Sequence, residues 1–526
     1  MDKQLKYPLV RFVEACLQSE GSLWVEEERL KSFARKRKVD VSPLDNLCKS
    51  GKLKRLRFDG VNYISLPTFH AVETEGAYNV MRILYNDTLG KVPAKTIDGI
   101  IDKIENKIGI ELHSEQRKAV HTMVNNGLCV ITGGPGTGKT CTLNTAVQVI
   151  EELYPGITIK FTAPTGKASG RITESVHRPA RTVQRELKLT YTKKYPDYFT
   201  GDILVIDEVS MLDMETAGAV FKAVRNGQRL IMIGDTEQLP SVGAGAVLRD
   251  LLDSGVIPNT RLTKTFRQAE ESALFCNILL AKKGDPKLKN DNEEFVIIKA
   301  LGGDKTLNQI ADKYLEEKEK WGLENVCCLI PYRKAGTICS NKLNNILQAR
   351  INPKSLGKKY LDVKTGPKEY ISFIVGDPVM QLQNRDECAN GDVGMVIDVE
   401  GERLVVRFKD PMGEEVIVKY WKSQLAEELS LAYAMSINKS QGSEYKSVIM
   451  CMAKEHSLLL SRNMLYTGIT RAKKKVVYIH EPEATKMAMS NTAMYANINH
   501  CGRVTLFGEK LRFYKQRFEQ AARAAA

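Results

Sequence analysis

The 526-residue sequence has no apolar run of membrane-spanning length and no signal-peptide pattern at its start, which sets membrane-embedded and secreted classes aside and points to the cytoplasm. It has no C-x-x-C pair. Its eleven cysteines are scattered, with Cys327 and Cys328 adjacent, as in a protein of reduced, buried thiols rather than a zinc or disulfide framework. It has no internal repeat. Histidine is sparse, seven in all and only His70 before residue 106. Acid is in deficit: 63 Asp and Glu against 77 Lys and Arg give a net charge of +14. That balance favours a polyanionic partner, most simply nucleic acid, with a solvated basic surface as the alternative. The remaining composition, 43% hydrophobic and 27% charged, is that of ordinary globular protein, and the length calls for three or four domains.

The stretch that organises the chain is Gly133-Gly134-Pro135-Gly136-Thr137-Gly138-Lys139-Thr140. It fits G-x-x-x-x-G-K-[ST], with an apolar strand pattern at 128–131 before it and a helical pattern from Cys141 after it. The glycines let backbone N–H groups turn toward phosphates, and the helix N-terminus adds positive potential. Lys139 is placed to reach the β- and γ-phosphates, and Thr140 to offer its hydroxyl to Mg²⁺. About 70 residues on, an apolar run ends in Asp207-Glu208. Asp207 suits the metal and Glu208 suits polarising an attacking water. Gln238, at the next strand end, suits sensing the γ-phosphate. Gln116 lies just upstream of the loop, where its amide can read an adenine edge.

In chain order, residues 1–67 read as a basic winged-helix-like module: three short helices, then a hairpin signalled by Asp59-Gly60. A helical pattern is expected through 25–33, and Ser42-Pro43 opens the third helix. A helical connector follows at 68–106. Residues 107–275 alternate strand and helix, so a parallel sheet is expected with its ligand site at the strand C-termini. At about 185–200 two β-prone stretches, 187–191 and 195–200, suggest a protruding hairpin. Alternation returns at 276–352 and 430–526, interrupted at 353–429 by short strands (373–380, 395–399, 404–408, 416–420) that suggest a small β-barrel. The fold class is thus α/β, with two parallel-sheet domains and three appended or inserted modules.

The motif set resembles the RecD-like superfamily 1 helicases. Gly-Gly-Pro-Gly-Thr-Gly-Lys-Thr is joined by Ala163-Pro164-Thr165-Gly166-Lys167-Ala168, Asp207-Glu208-Val209-Ser210-Met211, Gly234-Asp235-x-x-Gln238-Leu239-Pro240-Ser241-Val242-Gly243 and Leu262-Thr263-x-x-Phe266-Arg267-Gln268. Lys342-Leu343-Asn344 with Gln348 and Asn352-Pro353, Asn390-Gly391-Asp392-Val393-Gly394, and Lys439-Ser440-Gln441-Gly442-Ser443-Glu444 extend the match to about residues 110–480. The resemblance implies an ATP-dependent DNA helicase moving 5′ to 3′ on single strands. ATP and Mg²⁺ would bind between two RecA-like domains, with the hairpin in the first and an SH3-like insertion in the second. It makes Gln116 an adenine contact, Lys139, Thr140, Asp207 and Glu208 the catalytic core, and Gln238, Arg267, Gln441, Gly442 and Arg471 the rest of the γ-phosphate pocket. Pro164, Thr165, Ser241, Val242, Pro331, Lys439 and Ser440 become candidates for the DNA groove. Partners would be single-stranded DNA and duplex junctions, with a protein partner a further use of the basic N-terminal module. Two positions depart from the family pattern: Asn438 stands where it usually carries His, and Thr182-Val183-Gln184 where it usually has Thr-Ile-His. The N-terminal region is also too short for the helix-hairpin-helix array of longer members. The rival readings are a translocase with little unwinding activity, a nucleic-acid-responsive ATPase switch, and a relaxase–helicase fusion. A switch needs one such domain rather than two, and a fusion needs an N-terminal His cluster that is lacking.

Overall fold

The computed structural model describes residues 7–189, 196–266, 272–366, 369–385, 387–410, 413–491 and 502–525. At the N-terminus, helices Pro8–Glu20, Glu27–Lys36 and Leu44–Lys49 pack on an antiparallel sheet ordered Val25–Glu26, Val61–Ser65, Lys54–Phe58. Val25 is therefore a strand residue and not the start of a helix. The hairpin turns at Asp59 and Gly60, both with positive φ (46° and 81°), as a two-residue turn matched to the strand twist requires. Leu9, Val13, Leu17, Leu30, Leu53 and Ile64 form its core.

The first α/β domain is a six-stranded parallel sheet ordered Ala180–Thr182, Ile159–Ala163, Ile203–Ile206, Arg229–Gly234, Leu128–Gly133, Asn259–Leu262. The four central strands are the apolar runs of the sequence. The two edge strands were invisible there because edges need less apolar residue: Asn259–Leu262 alternates exposed and buried, and Ala180–Thr182 has three residues. Between 187 and 200 the described residues, 187–189 and 196–200, hold no strand, so the β-arms expected there are absent from them. They close on one another through the Asp197 N–H donating to Leu187 O (3.1 Å), while 190–195, where the hairpin tip was expected, lies outside the described residues.

The second domain is a five-stranded parallel sheet ordered Phe295–Lys299, Ala472–His480, Tyr445–Met452, Val326–Ile330, Ala434–Ser436. Its insertion holds a hairpin, Tyr360–Lys364 with Tyr370–Ile374, and an antiparallel sheet ordered Glu415–Trp421, Arg403–Lys409, Val393–Glu400, Pro378–Gln381, Leu429–Leu431. The stretch 373–380, expected as one strand, is two, broken at Gly376 (φ 96°) and Asp377. Asp377 is the clamp of this region. Its buried carboxylate accepts from Asn352 Nδ2 (2.8 Å), Tyr433 OH (2.8 Å), the Ile374 N–H (2.8 Å) and Gln348 Nε2. Asn344 bonds Leu431 O, Ala434 O and the Ala434 N–H. The Asn344, Gln348, Asn352 pattern thus ties the insertion to its domain.

The last helix, Phe507–Ala525, does not join the second domain, where the sequence placed it. It packs on Pro67–Tyr85 and Val247–Asp253, and Phe507 stacks on Phe221 (6.1 Å). Glu73, fully buried, joins three segments by accepting from Trp24 Nε1 (2.7 Å), Lys510 Nζ (2.8 Å) and the Leu506 N–H (2.9 Å). Both chain ends therefore share the first domain's core.

Candidate active site

A cleft of about 560 Å³ opens between the two sheets. On the first domain's wall lies the phosphate loop, between the fully buried strand Leu128–Gly133 and helix Lys139–Leu153. Gly138 has φ 78°, and a Cβ there would sit 2.2 Å from Gln116 Nε2, so glycine is the residue that fits. Gln116 is buried, donates to Thr137 O (3.2 Å) and accepts the His113 N–H (2.9 Å). Lys139 Nζ folds onto its own loop, donating to Gly133 O (2.7 Å) and Gly134 O (2.9 Å). Asp207 and Glu208 follow strand Ile203–Ile206 and line the same cleft with Thr140. Burial, then the charge of Glu208, pushes the Asp207 carboxyl up to about 6. Glu208 itself adopts left-handed backbone (φ 55°), a conformation that costs a non-glycine residue about 1–2 kcal/mol. Gln238 is 6% exposed, and its Oε1 has no hydrogen-bond partner among the described residues.

The opposite wall comes from the second domain, through the segments that lead into strands Tyr445–Met452 and Ala472–His480. Arg471 is 3% exposed, and its guanidinium donates only to neutral oxygens: Thr467 O (3.1 Å), Ser443 O (3.2 Å) and Thr470 Oγ1 (3.2 Å). No carboxylate pairs with it among the described residues. Burial pulls its pKa below the usual arginine range. Gln441 and Gly442, expected in the γ-phosphate pocket, are not on this cleft's lining: Gln441 lines the second hollow described below and reaches across to Leu239 O (2.7 Å). Gly442 (φ 73°) lets the backbone close on Ala168, whose Cβ would lie 3.0 Å from an added one.

Several residues of the cleft and of the domain interface behind it escaped the sequence reading. Arg171 pairs with Glu444 across the interface (2.9 Å), and Lys473 shares that carboxylate (3.3 Å). Tyr466 donates to the buried Asp235 across the same interface (2.9 Å). Asp235 and Glu444 stand inside quoted motifs, so the signal was present; Arg171, three residues past Ala168, carried none. Arg267 lies outside the described residues, and Pro135, Gly136 and Phe266 border the cleft with the phosphate loop.

A second hollow, about 360 Å³, runs across the two domains and is lined by Pro164, Thr165, Val242, Lys439 and both departures, Gln184 and Asn438. Val242 is 75% exposed. Lys439 donates to Asn390 Oδ1 (2.5 Å), and burial, then Arg333, holds its pKa below the usual lysine range. Other groove candidates have committed side chains. Ser440 is fully buried and donates to Ile437 O (2.7 Å), while Ser241 donates to Gly243 O (2.9 Å). Pro331 is buried at the end of strand Val326–Ile330 and is not on this hollow's lining.

Two parallel sheets of one chain, closed on a phosphate loop with an arginine opposite, define a two-domain P-loop architecture. The AAA domain family matches residues 111–296, and the UvrD-like helicase C-terminal domain family matches 431–479. The chain is 32% identical over 399 residues to the ATP-dependent RecD2 DNA helicase of Deinococcus radiodurans, a match that takes in 74% of this chain and 52% of that protein. It is 28% identical over 421 residues to the RecBCD enzyme subunit RecD of Mycobacterium tuberculosis, covering 73% of this chain and 72% of the relative. A solved Bacteroides Pif1 bound to ssDNA is a looser likeness, at 17% identity and TM-score 0.44 over 79% of this chain and 98% of that one. Over about three quarters of its length the chain is thus similar to RecD-like helicases. It spans about half the length of the Deinococcus relative. No described helix is long and apolar enough to cross a membrane.

Proposed function

We propose that the chain is an ATP-dependent DNA helicase that translocates 5′ to 3′ on single-stranded DNA and unwinds duplex at junctions, in repair, recombination or replication. The observation that carries this reading is the cleft: a phosphate loop and paired carboxylates on one domain, and on the other a buried arginine with no carboxylate partner among the described residues. ATP is the substrate. Gln116 contacts adenine, and Gly133, Gly134, Pro135, Gly136, Thr137, Gly138 and Cys141 belong to the phosphate-loop segment. Lys139 leaves its loop carbonyls for the β- and γ-phosphates. Glu208 polarises the attacking water. Gln238, Gln441 and Gly442 report the γ-phosphate to the second domain, and Arg471 stabilises the charge that builds on it during transfer. Arg267 joins them by family resemblance alone. Mg²⁺ fits Thr140 and Asp207, one hydroxyl and one carboxylate on a shared wall, since this ion takes few protein ligands beside phosphate oxygens and water. Bound there, it would neutralise phosphate charge. Among the described residues no group of three or more His, Cys, Asp or Glu could hold a metal by itself, which suits an ion brought with nucleotide.

The groove carries the single strand, with Pro164, Thr165, Val242 and Lys439 as its contacts. Closure of the ATP cleft moves the two banks of the groove together, which is how hydrolysis becomes stepping. The N-terminal unit is winged-helix-like and presents Lys36, Arg37, Lys38 and Arg57 outward, a surface suited to duplex or a protein partner. The insertion is SH3-like. Strand displacement with 5′-tailed and 3′-tailed duplexes tests the reading: ATP-dependent release of the 5′-tailed substrate alone is the expected result. Release of neither, with DNA-stimulated ATP hydrolysis intact, identifies a translocase or switch instead.

A further inference from the structure

The loop of residues 241–245, which borders the groove just beyond Gln238, is held from outside both sheets. Arg503, 3% exposed, aims its fork at it. Nη1 donates to Ser241 Oγ (3.0 Å), Gly243 O (2.7 Å) and Gly245 O (2.6 Å), and Nη2 donates to Ser241 O (2.5 Å). One guanidinium thus gathers the carbonyls of three of the loop's five residues. From the N-terminal unit, Gly21 O accepts the Gly245 N–H (2.9 Å). Gly21 has φ 63°, and a Cβ there would lie 2.6 Å from the Arg503 guanidinium, so a side chain would be strained and would push the fork aside. Arg503 is anchored by its neighbour. Val504 O accepts the Leu23 and Trp24 N–H groups (2.9 and 3.2 Å), and the Val504 N–H donates to Ser22 Oγ (3.0 Å). On the loop's inner side the Met214 N–H donates to Ala244 O (2.9 Å).

Gly243 and Gly245 would leave this loop many conformations if it were unsupported. A planar fork that bonds several carbonyls at once selects one of them, and an ammonium cannot reproduce that geometry. Arg503 lines neither the cleft nor the groove. Its hydrogen bonds go to the loop that carries the exposed Val242 to the groove.

We propose that Arg503 is a positioning residue for the DNA groove: it sets loop 241–245 in the shape a single strand meets, so that the N- and C-terminal segments control how strongly DNA stimulates ATP hydrolysis. The proposal rests on the reading of the groove as the DNA site.

Arg503→Ala and Arg503→Lys in the full chain test it, by ATP turnover against oligothymidine concentration, turnover without DNA, and hydrogen exchange of the 243–245 amides. The DNA concentration for half-maximal stimulation should rise about tenfold in Arg503→Ala, and Arg503→Lys should recover only part of that. DNA-free turnover should be unchanged, and the loop amides should exchange faster while those of strand Leu128–Gly133 do not. An unchanged half-maximal concentration, or a parallel loss of DNA-free turnover, overturns the proposal. Should Arg503→Ala not fold, Arg503→Lys carries the same comparison. Lys439→Ala and Val242→Asp run alongside. If neither alters the DNA dependence, the groove reading itself falls and the proposal with it. If both do while the Arg503 variants do not, only the proposal falls.

Discussion

The cleft and the groove lie in the same two-domain body, yet they treat their polar groups in opposite ways. In the cleft, among the described residues, Lys139 bonds only carbonyls of its own loop, Arg471 faces neutral oxygens, and Gln238 Oε1 is buried without a partner. An unsatisfied buried acceptor costs about 1–3 kcal/mol, so Gln238 is held in readiness at a cost, while Lys139 and Arg471 have only neutral oxygens to give up. Around the groove, Ser440 is spent on its own backbone and Ser241 is gripped by Arg503. Being near a site is therefore a weaker mark of contact than being buried and underbonded beside it.

The difference can be broken most sharply at Lys139. Lys139→Ala should lower ATP turnover by about 10³-fold or more while single-strand affinity changes little, because the groove lies elsewhere. Filter binding beside phosphate release checks it, and equal loss of both would erase the separation of cleft from groove. Arg471→Ala comes next. Turnover should fall by about 10³-fold with nucleotide affinity nearly kept, since a charge that acts on the transition state need not hold the ground state. A loss confined to nucleotide affinity would make Arg471 an ordinary binding residue.

On the groove side the effects are smaller and carry a salt signature. Lys439→Ala should weaken oligonucleotide binding at every sequence tested and lower the slope of log affinity against log salt by about one. Ser440→Ala should leave both unchanged, because its hydroxyl already donates to Ile437 O. Titrations across salt concentrations distinguish them; equal effects would place Ser440 in the groove after all.

How much of this was legible before the structure follows the same division. The phosphate loop, Asp207, Glu208 and Arg471 sit in local strings whose spacing is set by strand-to-helix turns, so a linear reading finds them. Arg171 and Tyr466 matter through contacts between residues more than 200 positions apart, which no local pattern encodes. The central strands were legible because both faces are covered. Edge strands and the broken stretch at Gly376 were not, since one asks little apolar content and the other turns on a single glycine. Helix Phe507–Ala525 was assigned by sequence proximity to the wrong domain; what places it is the Glu73 cluster, more than 430 residues away.

Two carboxyls with raised pKa carry the comparison to its smallest expected effect. Asp207 is pushed up to about 6 by burial and Glu208, but it lines an open cleft beside Lys139, where a cation can displace its proton. Asp250 is pushed up to about 7, by burial above all, with Arg249 (3.2 Å) lowering it only in part. It lies in helix Val247–Asp253 beneath Phe507–Ala525, away from the linings of both cleft and groove. The folded chain thus keeps the Asp250 proton to about pH 7, whereas the unfolded chain releases it near 3.8. Since the unfolded state holds fewer protons between those values, stability falls as pH rises from about 4 to about 7 and then levels. Asp250→Asn removes that titration while an amide oxygen still accepts from Arg249. Its melting temperature should match the wild type near pH 4 and exceed it by about 2 °C near pH 8. Thermal melts at the two pH values settle the matter: a difference that does not widen with pH would mean Asp250 is as well served by its surroundings as the carboxylates on the surface.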